Sequence, residues 1–90
     1  YVVFHAADGY STGLPLDYIS ENKIMMAYGL NDLTLPQDRG FPFQVVAKSK
    51  YGYKWAKWVT AIEVVDEEQR GYWESFGYSN RADVGGPAFD

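Results

Sequence analysis

The segment that most constrains the fold is residues 57–65, KWVTAIEVV, in which Val, Thr and Ile are concentrated. β-Branched side chains fit the pleated surface of a sheet better than the crowded turns of a helix. The run has the length of a strand, and an acidic, exposed turn follows it at residues 66–71. We therefore predict a β-strand here, in a fold organised around strands.

Shorter runs fit the same architecture. Three further strands are predicted, at residues 2–4, 23–30 and 42–48. Two short helices are predicted, at residues 14–19 and 72–76. Turns or loops are predicted at residues 7–13, 31–32, 36–40 and 51–53, and from residue 78 onward. The sum is an α+β fold, β-dominated, with short helices and long loops.

Length and composition exclude several classes of protein. Ninety residues form one domain at most, and the 47% apolar content is too high for a disordered chain. No apolar run approaches the roughly 20 residues that span a bilayer. The chain has no cysteine and one histidine, His5, so no set of metal ligands is predicted and no catalytic geometry forms around that imidazole. It does not begin with Met, and we expect it to be part of a longer polypeptide.

Positive charge is concentrated in one region of an acidic chain. The formal net charge is −4, yet residues 39–62 contain no acid. The same region holds the cations Arg39, Lys48, Lys50, Lys54 and Lys57. Such a segment attracts a small anion, whereas a nucleic acid would also meet the acidic remainder of the chain.

Two interpretations of the segment KSKYGYKWAKW, residues 48–58, are open from composition alone. In one, it is an exposed hairpin whose lysines keep an edge strand soluble. In the other, Lys57, with Lys54 as a second candidate, faces a phosphate, and Gly52 lets the backbone approach the same anion.

Three elements in fixed order carry a family resemblance. They are RGFPF at residues 39–43, KW at residues 57–58, and the WxxxxY pattern at residues 73–78. Together with the upstream segments DGYSTGLPL and IMMAYGLNDLTLPQDRGFPF, they resemble the carboxyl-terminal half of the molybdopterin-binding oxidoreductase domain of the sulfite oxidase and assimilatory nitrate reductase family. The resemblance covers essentially the whole chain. It implies that residues 1–90 are the carboxyl-terminal portion of one such domain, with a partial sulfite oxidase-type fold built on a mixed sheet.

The resemblance also implies roles for individual side chains. Lys57 matches the family lysine that holds the phosphate end of the pterin, and Trp55 and Ala56 fall on adjoining cofactor-contacting positions. Tyr78 matches the active-site tyrosine, whose hydroxyl lies near the metal and can hydrogen-bond substrate or assist proton movement.

Two positions depart from the sulfite oxidase pattern. Arg39 stands where sulfite oxidases have a cofactor-binding histidine, and Gln44 stands where they have arginine. Because a planar, bidentate cation is lost at position 44, the anion contact there differs, although Arg39 restores a positive charge nearby. The departures leave the substrate open.

The family implies molybdopterin, the molybdenum cofactor, with its metal-ligating cysteine expected outside this chain. We therefore expect a fragment of a molybdenum-cofactor oxidoreductase, inactive alone, that contributes the pterin-phosphate segment and a tyrosine. The implied partners are a small oxyanion or oxide substrate, an electron-transfer partner and the remainder of the domain, with no nucleic acid and no membrane span.

Two alternatives come from other classes of protein. The first is a non-catalytic β-rich binding module that presents a flat platform of indole rings to a carbohydrate or peptide, using Trp55, Trp58 and Trp73. The second is single-stranded nucleic acid binding by interleaved aromatic residues and lysines, which the acidic remainder of the chain disfavours.

Overall fold

Short strands dominate the computed structural model, which describes residues 1–87 and 89. The strands are β1 (Val2–Ala6), β2 (Ser11–Leu14), β3 (Met25–Ala27), β4 (Gly29–Leu30), β5 (Leu33–Thr34), β6 (Gln44–Val46) and β7 (Val59–Val64). One α-helix, α1 (Leu16–Glu21), follows β2. The described residues also form 3-10 turns at Gln37–Arg39, Gly52–Lys54 and Glu74–Phe76.

The central sheet has three strands in the order β2-β1-β7. Strand β1 pairs with both neighbours, so that Phe4 lies opposite Thr12 on one side and Ile62 on the other. Strand β1 is apolar because it is covered on both faces, and Val2, Val3 and Phe4 are all buried. Strands β3 and β6 form a separate pair, and β4 and β5 form a short hairpin.

The core is a single cluster beside the central sheet. Its buried members are Val2, Phe4, Leu14, Val45, Ala47, Ala56 and Val59. Half-buried side chains from other elements pack against it, including Ile19 of α1, Met26 of β3 and Trp55. The segment that follows β6 therefore contributes to the core at both Ala47 and Ala56.

The predicted β-dominated fold is confirmed at this level. The strands predicted at residues 42–48 and 57–65 contain β6 and β7, and the strand predicted at residues 2–4 covers the first three residues of β1. The predicted Asn31-Asp32 turn closes the β4–β5 hairpin, where both residues have positive φ, at 51° and 65°.

Three details of the prediction were wrong. The single strand expected at residues 23–30 is divided, because residues 29–30 pair with β5 and not with β6. The loop expected at residues 7–13 contains the start of β2. That strand was not predicted because Gly13 is a residue typical of turns. A Cβ on Gly13 would lie 2.5 Å from the Tyr1 ring, so glycine marks a close approach there. The expected mixed sheet is also absent from the described residues, where every strand pairing is antiparallel, with no crossover helix to join parallel strands.

Gly71 connects the carboxyl-terminal segment to the central sheet, and its backbone lies against β2. A Cβ at this position would lie 2.2 Å from the carbonyl oxygen of Ser11 and 2.7 Å from Cα of Thr12. The next residue, Tyr72, donates its backbone N–H to that same carbonyl at 2.9 Å. The contact is made by backbone on both sides, so neither partner can rotate away.

We predict that Gly71→Ala lowers the free energy of unfolding by about 1–3 kcal/mol or more, because the added methyl group overpacks a rigid contact. Denaturant unfolding of the intact protein measures the change. Gly52→Ala is the matched control, since a Cβ at Gly52 has no other atom within 4 Å. Equal unfolding midpoints for the two variants would contradict this account of Gly71.

Candidate functional site

The lysines of residues 48–58 fall into two groups. Lys50 and Lys54 are buried and paired: Lys50 Nζ lies 2.6 Å from Asp83 Oδ1, and Lys54 Nζ lies 2.8 Å from Glu74 Oε2. The hydrogen bond from Lys50 holds the pKa of the Asp83 carboxyl below its usual value. Lys48 and Lys57 are exposed. Half of the positive charge in this segment is therefore neutralised inside the chain.

Lys54 has no exposed surface and lies at the centre of a polar network. Its ammonium donates to the Gly13 carbonyl at 2.8 Å and to Asn80 Oδ1 at 3.2 Å, besides contacting Glu74. Thr12 donates its hydroxyl to the same Glu74 oxygen at 2.6 Å. Burial lowers the pKa of Lys54, and the hydrogen bond with Glu74 opposes that shift. The three protons of the ammonium are all engaged, so Lys54 has none left for an external phosphate.

Gly40 brings Lys57 close to a part of the chain that is distant from it in sequence. A Cβ on Gly40 would lie 3.1 Å from Cβ of Gln44 and 3.3 Å from Cβ of Lys57, and Arg39 precedes this glycine directly. We call Arg39, Gln44 and Lys57 the Gly40 cluster. The backbone of residue 40 fits because its φ of 114° suits glycine, and its carbonyl accepts the Trp58 N–H at 3.1 Å.

The Gly40 cluster holds two of the three exposed cations of the basic region, and Lys48 is the third. Arg39 and Lys57 are exposed, and neither forms an ion pair with any residue that the structure describes. Gln44, half-buried at the start of β6, supplies a neutral amide beside them. Exposed cations without internal ion pairs in the described residues, close in the fold to a neutral amide, suit an anion such as phosphate.

Trp55 and Ala56 attach this region to the core. The Ala56 side chain is buried, and its carbonyl accepts the Val45 N–H at 2.9 Å. Trp55 is half-buried against the core and donates its indole N–H to the Lys50 carbonyl at 3.1 Å. Both side chains contact protein, and their backbone leads directly into Lys57.

Tyr78 lies in an aromatic cluster. Its ring centroid is 5.5 Å from that of Tyr53, 5.6 Å from that of Trp73 and 4.7 Å from that of Phe89. Gly77, with φ of 102°, turns the chain immediately before it. Within residues 1–87 and 89, no hydrogen bond, ion pair or ring contact joins Tyr78 to the Gly40 cluster. The structure thus brings residues 44 and 57 together at Gly40, which Arg39 precedes, and places residue 78 in a second group.

The three tryptophans do not form a flat platform. Trp73 meets Tyr72 at 90° and Tyr78 at 76°, which are edge-to-face arrangements. Trp55 packs on the core, and Trp58 donates its indole N–H to the Gln37 carbonyl at 2.5 Å. A carbohydrate platform needs coplanar exposed rings, and this geometry does not provide them.

The described residues offer no other obvious centre for chemistry. His5 Nε2 lies 2.9 Å from Glu63 Oε1 in an exposed pair on the central sheet. No group of three or more His, Cys, Asp or Glu side chains within residues 1–87 and 89 is placed to hold a metal ion. The helical segments of that same part of the chain are all too short or too polar to cross a membrane.

Sequence reasoning missed Glu74 and Asn80 as members of a polar network. Glu74 lies inside the WxxxxY pattern, between two exposed aromatic residues, and Asn80 follows it in a stretch predicted as loop. An acid next to Trp73 in a largely aromatic run was the available signal. Its partner, twenty residues earlier, could not be identified from spacing.

A model of the family described as oxidoreductase molybdopterin binding domain matches residues 1–73. The chain belongs to this family. The matched range includes the Gly40 cluster and Lys54, while Glu74, Tyr78 and Asn80 follow it.

Relatives of this molybdopterin-binding domain include oxidoreductases of several kinds. YuiH of Bacillus subtilis, an uncharacterized oxidoreductase, is 39% identical over 83 residues, which are 92% of this chain and 42% of the relative. The mitochondrial sulfite oxidase of Drosophila melanogaster is 31% identical over 86 residues, covering 87% of this chain and 15% of the relative. A putative protein-methionine-sulfoxide reductase subunit of Azospira oryzae is 33% identical over 79 residues, covering 88% and 30%. The chain thus spans less than half the length of these relatives. No solved structure matches it.

Tyr10 joins β2 to the segment that carries the lysines. Its hydroxyl donates to the Tyr53 carbonyl, and burial raises the pKa of Tyr10 well above its usual value. Burial likewise raises the pKa of Tyr1 to about 12. The folded state therefore keeps the Tyr1 and Tyr10 hydroxyls protonated at a pH where the same two hydroxyls are deprotonated in the unfolded chain.

We predict that the domain loses stability as the pH rises above 10. The folded-state pKa of Tyr10 is raised, so its contribution is fully present below the ordinary tyrosine pKa of about 10 and is lost as the pH increases beyond it. Tyr10→Phe should flatten the fall in melting temperature between pH 9 and pH 11, measured by thermal unfolding. Tyr28→Phe, at a residue that is 74% exposed, is the control and should leave the slope unchanged. Parallel slopes for all three proteins would refute the assignment.

Proposed function

We propose that this chain is the portion of a molybdenum-cofactor oxidoreductase that binds the phosphate end of the pterin and supplies an active-site tyrosine. The observation that carries the proposal is the Gly40 cluster, in which exposed Lys57 lies against Gly40, exposed Arg39 precedes that glycine, and neither cation has an ion-pair partner among the described residues. The cluster lies within the range matched by the family model. Lys57, the residue that the family resemblance links to the pterin phosphate, is one of its two cations.

The residues present fit the anionic tail of such a cofactor. Arg39 and Lys57 supply positive charge, and the Gln44 amide supplies both a donor and an acceptor. In the described part of the chain, two acids contact the lysines of this segment. Glu74 is bound to Lys54, and Asp83 is bound to Lys50. They therefore do not compete for the exposed cations.

Adjoining positions would complete the binding segment. We propose that Trp55 and Ala56 line the cofactor from the backbone side, because their side chains hold residues 55–57 against the core. When bound, the molybdenum cofactor supplies oxygen-atom and two-electron transfer. The metal-ligating thiolate would come from a cysteine outside this chain, since residues 1–90 contain none.

Tyr78 is the proposed catalytic residue. Its half-buried ring is held by Tyr53 and Trp73, and such packing orients a phenol without using its hydroxyl. A phenol both donates and accepts hydrogen bonds, so the hydroxyl can orient a small oxyanion or oxide and assist proton movement. An electron-transfer partner would complete the reaction. Two of the relatives are named for sulfur compounds, a sulfite oxidase and a methionine-sulfoxide reductase subunit, and we propose a substrate of that chemical class.

The remainder of the same domain is the proposed covering partner of β7. Ile62 and Val64 lie opposite Phe4 and Val2, on the face of the sheet that packs into the core, yet they are 54% and 70% exposed. Apolar side chains at the edge of a core-facing surface favour further packing. This supports the proposal that residues 1–90 are one portion of a larger domain.

We predict that Lys57→Ala in the intact protein weakens molybdopterin binding by roughly 10- to 100-fold, because a charge-assisted hydrogen bond contributes about 1.5–3 kcal/mol. The measurement is pterin and molybdenum content per polypeptide. Lys48→Ala removes an exposed lysine of the same segment outside the Gly40 cluster and is the control. Full cofactor content in the Lys57 variant would overturn the assignment.

We predict that Tyr78→Phe retains the cofactor and lowers kcat, since the change removes a hydroxyl that acts in the reaction and keeps the ring that packs. Steady-state kinetics and pterin content, measured on the same preparation, separate the two effects. Tyr72→Phe, in the same aromatic cluster, controls for loss of a phenol that has no proposed role. Unchanged kcat in the Tyr78 variant would show that the tyrosine is structural.

A further inference from the structure

The Lys54 ammonium binds residues on both sides of Tyr78. Glu74, four residues before Tyr78, accepts from Nζ at 2.8 Å, and Asn80, two residues after it, accepts at 3.2 Å. Both contacts are buried, and all three side chains are at least nine-tenths inaccessible to solvent. One side chain therefore holds both ends of the loop that carries Tyr78.

Neighbouring contacts make this loop short and closed. The Glu74 carbonyl accepts the Gly77 N–H at 3.1 Å and an Arg70 guanidinium N–H at 3.0 Å. The residue before Lys54, Tyr53, donates its hydroxyl to the Ser79 carbonyl at 2.6 Å. Between the two positions that Lys54 holds, the chain makes one 3-10 turn and then presents Tyr78.

The same lysine is tied to the Gly40 cluster through the backbone. Lys54 ends the 3-10 turn Gly52–Lys54 and lies three residues before Lys57. The Trp55 N–H donates to the Gly52 carbonyl at 2.9 Å, and the Ala56 carbonyl accepts the Val45 N–H of β6 at 2.9 Å. These bonds fix the backbone between the two lysines. Lys54 is thus a link between the two groups of proposed site residues, which make no hydrogen bond, ion pair or ring contact with each other in the part of the chain that the structure describes.

A buried ion pair is weak evidence for stability, because the cost of removing two charges from water offsets most of their attraction. Apolar side chains of similar volume could fill the same space, but they would not set hydrogen-bond geometry at two separate points. The contacts of Lys54 with Glu74 and Asn80 therefore suit a role in fixing the position of the loop between them.

We propose that Lys54 is a positioning residue that sets the place of Tyr78 relative to the Gly40 cluster through its contacts with Glu74 and Asn80. This inference rests on the role proposed above for Tyr78. It assigns Lys54 to the interior of the protein, with no contact to cofactor or substrate.

The test is the charge-neutral variant Lys54→Met/Glu74→Gln in the intact protein. It removes both charges together, so no unpaired charge is left buried, and Gln retains an acceptor for Thr12. The matched control is Lys50→Met/Asp83→Asn, which removes the other buried-lysine pair of the same segment, at a site that does not hold the Tyr78 loop.

We expect the Lys54→Met/Glu74→Gln variant to keep its pterin content within about twofold, to lose about tenfold in kcat, and to exchange the backbone amide protons of residues 74–80 faster. The control should change neither kcat nor exchange in that loop. In a Tyr78→Phe background the paired substitution should lower kcat no further, because both changes act on the same group. If this variant does not fold, Asn80→Ala, which removes the other contact of Lys54 and keeps the ion pair with Glu74, is judged by the same measurements.

Two results would overturn the inference: exchange and kcat equal to those of the control, or a loss in kcat that adds fully to that of Tyr78→Phe. Failure of the proposed function is a different result. It would appear as an unsubstituted protein without pterin, or as a Tyr78→Phe variant with normal kcat. Amide exchange in residues 74–80 would still report in that case whether Lys54 holds the loop.

Discussion

The contact between Lys54 and Glu74 is the interaction on which the carboxyl-terminal part of this structure depends. Residues 74–80 contribute no side chain to the apolar core, and buried polar contacts fix them there instead. The Gly13 carbonyl of β2 accepts from Lys54, and the Thr12 hydroxyl of β2 donates to Glu74, so the central sheet provides a hydrogen-bond partner for each residue of the pair. Removing one partner alone would leave a charge in a medium that solvates it poorly, which is why the two residues must be considered together.

The basic region serves two purposes that composition cannot separate. Lys50 and Lys54 face inward and bind two acids of the carboxyl-terminal segment, while Arg39 and Lys57 are exposed and remain available to an anion. Internal pairing reduces the positive charge offered to solvent, and it also occupies the acids that would otherwise compete with a phosphate. The proposed cofactor surface is therefore smaller and more defined than the run of lysines alone indicates.

Much of the fold was predictable from local sequence, and little of the buried network was. The β-branched residues of β7 and the apolar residues of β1 predict strands because their side chains suit a sheet. Strand β2 was not predicted because its glycine is required by close packing against Tyr1, which is a property of the tertiary structure. The likeness to molybdopterin-binding domains identified Lys57 and Tyr78 as candidates, but neither spacing nor charge could show that Lys54 meets Glu74, since loop closure over twenty residues leaves no periodic signal.

Strand β7 has a consequence for handling this polypeptide by itself. Among the residues that the structure describes, it pairs with β1 on one edge, while its other edge bonds Phe43 through the Val59 N–H at 2.9 Å and is otherwise unpaired. It also carries Ile62 and Val64 toward solvent. An uncovered edge with apolar neighbours is a template for a strand from another molecule. For this polypeptide prepared in isolation at high concentration, we therefore expect edge-to-edge association, which a segment covering β7 would prevent.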